Sequence, residues 1–144
     1  MSQTEVPPTR PEITALLARG VSRMLMDHGL APILEVTLAN GRRADIMALG
    51  PHGEIWIVET KSCLADYAVD MKWPDYLEYC DRFLFAVTED FPRDLIPEEA
   101  GLIVADGFGG AILRQSPLRP LAPARRKAVT LLFARLAAIR LTGG

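Results

Sequence analysis

Several features are scarce in this 144-residue chain, and each scarcity excludes a class of protein. No apolar run approaches the roughly 20 residues that a membrane-spanning helix needs. The two histidines and two cysteines do not have the spacing of a zinc site, and we expect free thiols in a reducing cytoplasm. Residues 1–10 lack the basic-then-apolar order of a signal peptide, so we expect a flexible leader and a cytoplasmic protein without membrane attachment.

Acidic residues are missing from the last part of the chain. All 18 lie at or before Asp106, whereas residues 111–144 contain seven basic side chains and no acidic one. A basic end can bind a phosphate backbone or an acidic protein partner, and it can equally be a helix with a solvated arginine face. The sequence leaves these alternatives open. The seven residues are Arg114, Arg119, Arg125, Arg126, Lys127, Arg135 and Arg140.

Lysine is also rare, with three residues against thirteen arginines. Where a lysine is retained, a compact ammonium group on a flexible stem can be needed in place of the planar guanidinium of arginine. Two of the three lysines, Lys61 and Lys72, flank the candidate site that contains Asp45 and Glu59.

Hydrophobic periodicity and turn residues predict one α/β domain over residues 11–144. The strands over 43–49 and 54–61 are almost continuously apolar, which indicates burial on both faces of a sheet. We therefore expect a mixed β-sheet flanked by helices. The other predicted strands are 32–38, 82–88, 101–106 and 111–115, and the predicted helices are 9–29, an interrupted segment over 65–81 that becomes regular from about residue 74, and 124–141.

Two acidic residues interrupt these apolar strands. Asp45 lies inside the second strand and Glu59 near the end of the third, and carboxylates are rarely buried unless they are paired or bind a metal. Because side chains alternate along a strand, Glu59 and Lys61 should share a face, whereas Thr60 should point into the core. Two carboxylates that hold Mg²⁺ or Mn²⁺, beside a lysine that stabilises developing charge, suit phosphodiester hydrolysis.

Simpler interpretations exist for two of the carboxylates. Asp45 could pair with Arg42 or Arg43 near the turn. Glu35 interrupts the first strand in the same way as Asp45, and it could be a third metal ligand or could form an ion pair with Arg43.

The segment after the third strand offers two further candidates. Lys72 and Tyr76 are four residues apart, so in a helix they would share a face that overlooks the site and could contact phosphate. Alternatively, Tyr76 packs on the sheet and Lys72 is solvated. Together with Arg42 and Arg43, Lys72 is a candidate DNA contact.

The motifs resemble a known group of enzymes. The order helix, strand, Asp45 on a second strand and Glu59-Thr60-Lys61 on a third is similar to the PD-(D/E)XK nuclease superfamily. The longer strings GRRADIMAL (41–49), VETKS (58–62), KWPDY (72–76) and CDRF (80–83) resemble the MmcB-like DNA repair proteins of bacteria. The resemblance covers residues 11–115, and its one departure is Ala44, which stands where the superfamily motif has proline.

This resemblance implies a restriction-endonuclease-like αβββαβ core. It further implies that Asp45 and Glu59 are metal ligands, that Lys61 is the catalytic lysine, and that Lys72 or Tyr76 is the accessory polar residue from the following helix. The superfamily also contains members that bind DNA without cutting it.

Three functions are therefore compatible with the sequence. The leading hypothesis is a metal-dependent endonuclease-like protein that acts on DNA in repair. The alternative is a non-cleaving DNA-binding or accessory repair protein on the same scaffold. The third is a protein-interaction module that uses the basic terminal helix. Cutting both strands of a duplex would favour a homodimer, and the apolar residues of the terminal helix could form its interface.

Overall fold

The computed structural model describes residues 6–63 and 72–143 of the chain. The irregular helical segment predicted over residues 65–71 lies outside the described residues. Within the described ranges the protein has one six-stranded sheet flanked by helices, which confirms the predicted mixed α/β fold. None of the described helices is both long and apolar enough to cross a membrane.

The elements follow the chain in an order close to the one predicted from the sequence. Two α-helices, α1 and α2, begin and end the described fold, and two short 3-10 helices lie in the connections. The bounds are α1 (Arg10–Asp27), β1 (Ala31–Thr37), β2 (Arg43–Leu49), β3 (Ile55–Lys61), a 3-10 helix (Trp73–Tyr79), β4 (Arg82–Val87), a 3-10 helix (Arg93–Leu95), β5 (Gly101–Ala105), β6 (Gly110–Arg114) and α2 (Pro123–Gly143).

The strands lie side by side in chain order, from β1 at one edge to β6 at the other. The pairs β1–β2, β2–β3 and β5–β6 are antiparallel, whereas β3, β4 and β5 run parallel. The carboxyl ends of the three parallel strands therefore lie at the same end of the sheet, and the antiparallel strand β2 begins at that end. Lys61, the last residue of β3, pairs there with Val87, the last residue of β4.

Both faces of the sheet are buried, which explains the apolar runs of the central strands. One face packs against α1 through residues such as Leu17, Val21 and Leu25. The opposite face packs against α2 and the first 3-10 helix, where Phe83 and Phe85 form the aromatic centre. The side chains of β3 alternate between these two cores, as the period of a strand requires.

Local sequence signals fix the start and the packing of α1. Thr9 and Glu12 form a reciprocal capping box, in which the Thr9 hydroxyl accepts from the Glu12 N–H and the Glu12 carboxylate accepts from the Thr9 N–H. Gly20 allows the helix to lie directly against the β5–β6 turn, because a Cβ at that position would lie 1.6 Å from the carbonyl oxygen of Asp106. Any larger residue would push α1 away from the sheet.

The segment that begins at residue 72 differs from the sequence-based expectation. A regular helix was predicted from about residue 74, and the chain instead forms a 3-10 helix from Trp73 to Tyr79. Residues three apart share a side of such a helix, so Tyr76 lies with Trp73 and Tyr79 and not with Lys72. Both tyrosines are buried, whereas Lys72 is exposed at the start of the helix. Of the two alternatives for this segment, the structure therefore has the second, in which Tyr76 packs on the sheet and Lys72 is solvated.

Candidate active site

The candidate site lies at the end of the sheet where β2 begins and β3 ends, and where these two strands separate. The backbone pairing of these strands is regular from Leu49↔Ile55 to Ile46↔Val58. One residue further, at Asp45 and Glu59, the hydrogen bonds between the strands are no longer backbone to backbone, and the two carboxylates accept the backbone N–H groups instead. The Asp45 N–H donates to Oε1 of Glu59 at 3.1 Å, and the Thr60 N–H donates to Oδ2 of Asp45 at 2.9 Å. Each carboxylate therefore accepts a backbone hydrogen bond from the other strand.

This exchange brings the two carboxyl groups into direct contact. Glu59 is 4% exposed, Asp45 is half-buried, and a side-chain hydrogen bond joins them. Burial, this hydrogen bond and repulsion by the charge of Asp45 raise the pKa of Glu59 from its ordinary 4.5 to about 10, although the Asp45 N–H and the charge of Lys61 act in the opposite direction. At neutral pH and without a cation, Glu59 therefore stays protonated.

Lys61 lies on the same side of β3 as Glu59 and is only 8% exposed. Its charge lowers the pKa of Glu59, against the larger effect of burial. A buried lysine two residues from a buried glutamate, at the end of a strand, is the arrangement that the alternation of side chains predicted.

Thr60 does not have the environment that the same alternation predicted. It was expected to point into the core, yet it is half-buried and its hydroxyl donates to Oδ2 of Asp45 at 3.1 Å. The carboxylate of Asp45 accepts both the N–H and the hydroxyl of Thr60, so it lies in the opening between the two strand ends.

The donor set of the site is small. Two contacting carboxyl groups, one of which retains a proton mainly because it is buried, can exchange that proton for a divalent cation. The chemistry of Asp45 and Glu59 therefore fits Mg²⁺ or Mn²⁺, which typically keep several waters and use one or two carboxylates. Over residues 6–63 and 72–143, no cluster of three or more His, Cys, Asp or Glu side chains is placed to hold a metal ion.

Arg42 and Arg43 do not neutralise Asp45. The Arg42 guanidinium pairs with Asp75 of the 3-10 helix, with 3.2 Å between Nε and Oδ2. The Arg43 side chain is exposed, and the carbonyl oxygen of Arg43 accepts a hydrogen bond from the Tyr76 hydroxyl at 3.1 Å. Tyr76 thus ties the 3-10 helix to β2 two residues before Asp45.

Glu35 lies opposite Asp45 across the β1–β2 pairing, between Leu34 and Val36, which pair with Ile46 and Ala44. Its side chain is exposed, and no hydrogen bond joins it to Asp45, Glu59 or Arg43 in the described part of the chain. The notable feature of Glu35 is its backbone, whose φ of 52° is uncommon for a residue other than glycine. Neither predicted role of Glu35 is visible in this geometry.

The sequence profile of the MmcB-like DNA repair proteins matches residues 2–143. The chain belongs to this family. Among solved structures, this MmcB-like chain is similar to the SPO1766 protein of unknown function from Silicibacter pomeroyi, with 50% identity over 87% of this chain and 86% of that one and a TM-score of 0.85. No curated protein matches the chain. Family membership places the MmcB-like chain among DNA repair proteins, and the structural neighbour supports the fold.

The basic end of this MmcB-like protein is used largely for internal contacts. Five of the seven basic residues contact other parts of the fold, although Arg140 among them is exposed. Lys127 and Arg135 are exposed. The contacts are Arg114 with the carbonyls of Pro97 and Ala100, Arg119 with that of Glu99, Arg125 with the Tyr79 ring at 4.6 Å, Arg126 with Asp81, and Arg140 with the carbonyls of Leu34 and Glu35.

Asp81 is a structural residue that the sequence analysis did not identify. It is 3% exposed, and its carboxylate accepts two hydrogen bonds from Arg126, at 2.8 and 2.5 Å, together with the N–H groups of Ile55 and Leu121. Burial raises the pKa of Asp81, but the bonds from Arg126 and from the two backbone N–H groups outweigh it and hold the pKa below its ordinary value. The residue joins α2, β3 and β4 and is not part of the candidate site.

Proposed function

We propose that this protein is a metal-dependent endonuclease-like enzyme of DNA repair, with the site geometry of the PD-(D/E)XK superfamily. The observation that supports the proposal is the geometry of Asp45 and Glu59, each of which accepts a backbone hydrogen bond from the other strand, with Glu59 and the nearby Lys61 both buried. A buried carboxylate pair beside a lysine opposes stability, and such an arrangement is typical of functional sites. The substrate would be DNA, and the cofactor Mg²⁺ or Mn²⁺.

In this proposal Asp45 and Glu59 would hold the cation, which would replace the proton on Glu59. When bound, the ion would activate water near neutral pH and neutralise charge on the phosphate. Lys61, on the side of Glu59, would orient the attacking water or stabilise the charge that develops on the phosphoryl oxygens. The Tyr76–Arg43 hydrogen bond would keep the start of β2, and hence Asp45, at a fixed distance from β3.

The basic side chains nearest the site would bind the DNA backbone. Arg43 is exposed at the start of β2, Lys72 is exposed just before the 3-10 helix that Tyr76 joins to β2, and Arg42 is half-buried in its pair with Asp75. The exposed pair of Arg43 and Lys72 would make the main phosphate contacts, and Arg42 could join them only by leaving Asp75.

A second candidate function is a non-cleaving DNA-binding or accessory repair protein. The specific observation that favours it is the small number of candidate ligands, since within residues 6–63 and 72–143 no third His, Cys, Asp or Glu side chain joins Asp45 and Glu59. In this alternative Lys61 would contribute a phosphate contact and no chemistry.

The decisive experiment is to substitute Lys61 and measure cutting and binding separately. For an enzyme, Lys61→Ala should lower Mg²⁺- or Mn²⁺-dependent cleavage about 100-fold or more while DNA affinity stays close to that of the wild type. Lys61→Arg should restore little cutting, because a planar guanidinium does not replace a compact ammonium beside a metal. Cleavage would be measured on duplex, nicked, branched and single-stranded DNA.

Lys72→Ala is the matched control, because Lys72 is an exposed lysine that precedes the 3-10 helix joined to β2. This variant should weaken DNA binding and reduce its salt dependence by about one counterion, with unchanged cleavage at saturating protein. If the wild type cuts none of these DNA structures with any divalent ion, and if Lys61→Arg binds DNA as well as the wild type, the accessory function is correct.

A further inference from the structure

The hydroxyl of Thr60 has a specific partner within the candidate site. Thr60 lies between Glu59 and Lys61, and it donates two hydrogen bonds to one atom, Oδ2 of Asp45: one from its N–H at 2.9 Å and one from its hydroxyl at 3.1 Å. A carboxylate oxygen has two lone pairs, so these two donors fill the hydrogen-bonding capacity of Oδ2. The other oxygen of Asp45 remains for Glu59 or for a cation.

The two donors differ in what they require from the sequence. Any residue except proline at position 60 would supply the N–H, but only serine or threonine would supply a hydroxyl at the same place. With a single hydrogen bond the carboxylate can still rotate about its Cβ–Cγ bond. Two donors that converge on Oδ2 hold that oxygen against Thr60 and so fix the direction of the other oxygen. The hydroxyl therefore determines the orientation of the carboxylate.

We propose that Thr60 is a positioning residue, whose hydroxyl holds Oδ2 of Asp45 so that the opposite oxygen faces Glu59 and binds the divalent ion. This inference rests on the proposed metal site and deepens it. Groups that orient the ligands of a metal in this way typically contribute 10- to 100-fold to metal affinity. Thr60 would act through Asp45 and would not touch DNA.

The test compares Thr60→Val with Thr60→Ser by measuring Mn²⁺ affinity in solution, with calorimetry or with the paramagnetic signal of free Mn²⁺. Valine keeps the branched shape and removes the hydroxyl, whereas serine keeps the hydroxyl and removes a methyl group. We expect Thr60→Val to weaken Mn²⁺ binding about 10-fold or more, and Thr60→Ser to bind within about threefold of the wild type. Thr60→Ala, which lacks the hydroxyl, should behave as Thr60→Val does and provides a second variant if valine disturbs folding.

Asp45→Asn separates the failure of this inference from the failure of the proposed function. If the wild type binds Mn²⁺ and Asp45→Asn does not, the metal site is correct, and equal affinity of Thr60→Val and wild type would then overturn the role of Thr60 alone. Weak binding by both Thr60→Val and Thr60→Ser would also overturn it, because the loss would follow from packing and not from the hydroxyl. If the wild type and Asp45→Asn bind Mn²⁺ equally, both the site and the inference are wrong.

Discussion

Replacing Glu59 with glutamine should make the protein more stable at neutral pH. The amide is isosteric with the protonated carboxyl group, so its oxygen can still accept from the Asp45 N–H and its NH₂ group can donate to the Asp45 carboxylate. Unlike Glu59, the amide has no charged form that burial and Asp45 would oppose. The substitution thus preserves the contacts of the site and removes its electrostatic cost.

The size of the effect follows from the pKa of Glu59, which is raised from 4.5 to about 10 on folding. Below pH 4.5 both the folded and the unfolded chain carry the proton, and Glu59 does not affect the pH dependence of stability. Between pH 4.5 and about 10 the folded chain keeps a proton that the unfolded chain has lost, so the free energy of unfolding falls as pH rises, by about 1.4 kcal/mol per pH unit. At pH 7 the accumulated cost is about 3 kcal/mol, which Glu59→Gln should recover.

Urea unfolding of wild type and Glu59→Gln from pH 4.5 to pH 9 would measure this difference. The stability gap should be small at pH 4.5 and should widen steadily with pH, at unchanged m-value. Glu78→Gln is the control, because Glu78 is exposed and the same amide substitution should leave stability nearly unchanged there. Saturating Mg²⁺ should raise the Tm of the wild type but not that of Glu59→Gln. A gap that is absent at pH 7, or that does not change with pH, would refute the reasoning.

Two further substitutions test contacts outside the carboxylate pair. Asp81→Ala should destabilise the protein by about 3–5 kcal/mol in urea unfolding, because it leaves Arg126 and two backbone N–H groups without their acceptor. Asp75→Ala, which breaks the exposed pair with Arg42, should lower the free energy of unfolding by under about 1 kcal/mol. If Asp81→Ala and Asp75→Ala lowered the free energy of unfolding by similar amounts, the structural role of Asp81 would be contradicted. Tyr76→Phe removes the hydroxyl that donates to the Arg43 carbonyl and should cost about 1 kcal/mol. An unchanged urea midpoint would show that this hydrogen bond does not hold β2.

Much of the fold is visible in the sequence because its signals are local. The strand over residues 43–49 was predicted with the bounds that the structure has, since an apolar run bounded by turns leaves little choice of register. Asp45 and Glu59 could be paired in advance for a related reason. A carboxylate inside an apolar strand needs a partner, and an antiparallel neighbour supplies one.

The features that were not predicted depend on contacts between distant positions or on an interrupted ladder. The alternation of side chains places Thr60 in the core only while β2 and β3 stay paired. Their pairing ends at Ile46↔Val58, two residues before Thr60. The Asp81–Arg126 pair joins positions 45 residues apart, for which no local pattern exists. The 3-10 helix at Trp73 reflects Pro74 together with the packing of Tyr76 and Tyr79, which only the assembled sheet provides.

The contact between Arg140 and the edge strand has a consequence for how the protein associates with itself. An edge strand exposes unpaired backbone groups that can recruit a strand from another molecule, and such pairing leads to aggregation. On β1, Arg140 occupies the carbonyl oxygens of Leu34 and Glu35, Pro32 has no N–H to donate, and the left-handed backbone at Glu35 interrupts the extended conformation. This edge is therefore closed to a continuous intermolecular sheet, so a second copy of the chain would have to associate through another surface.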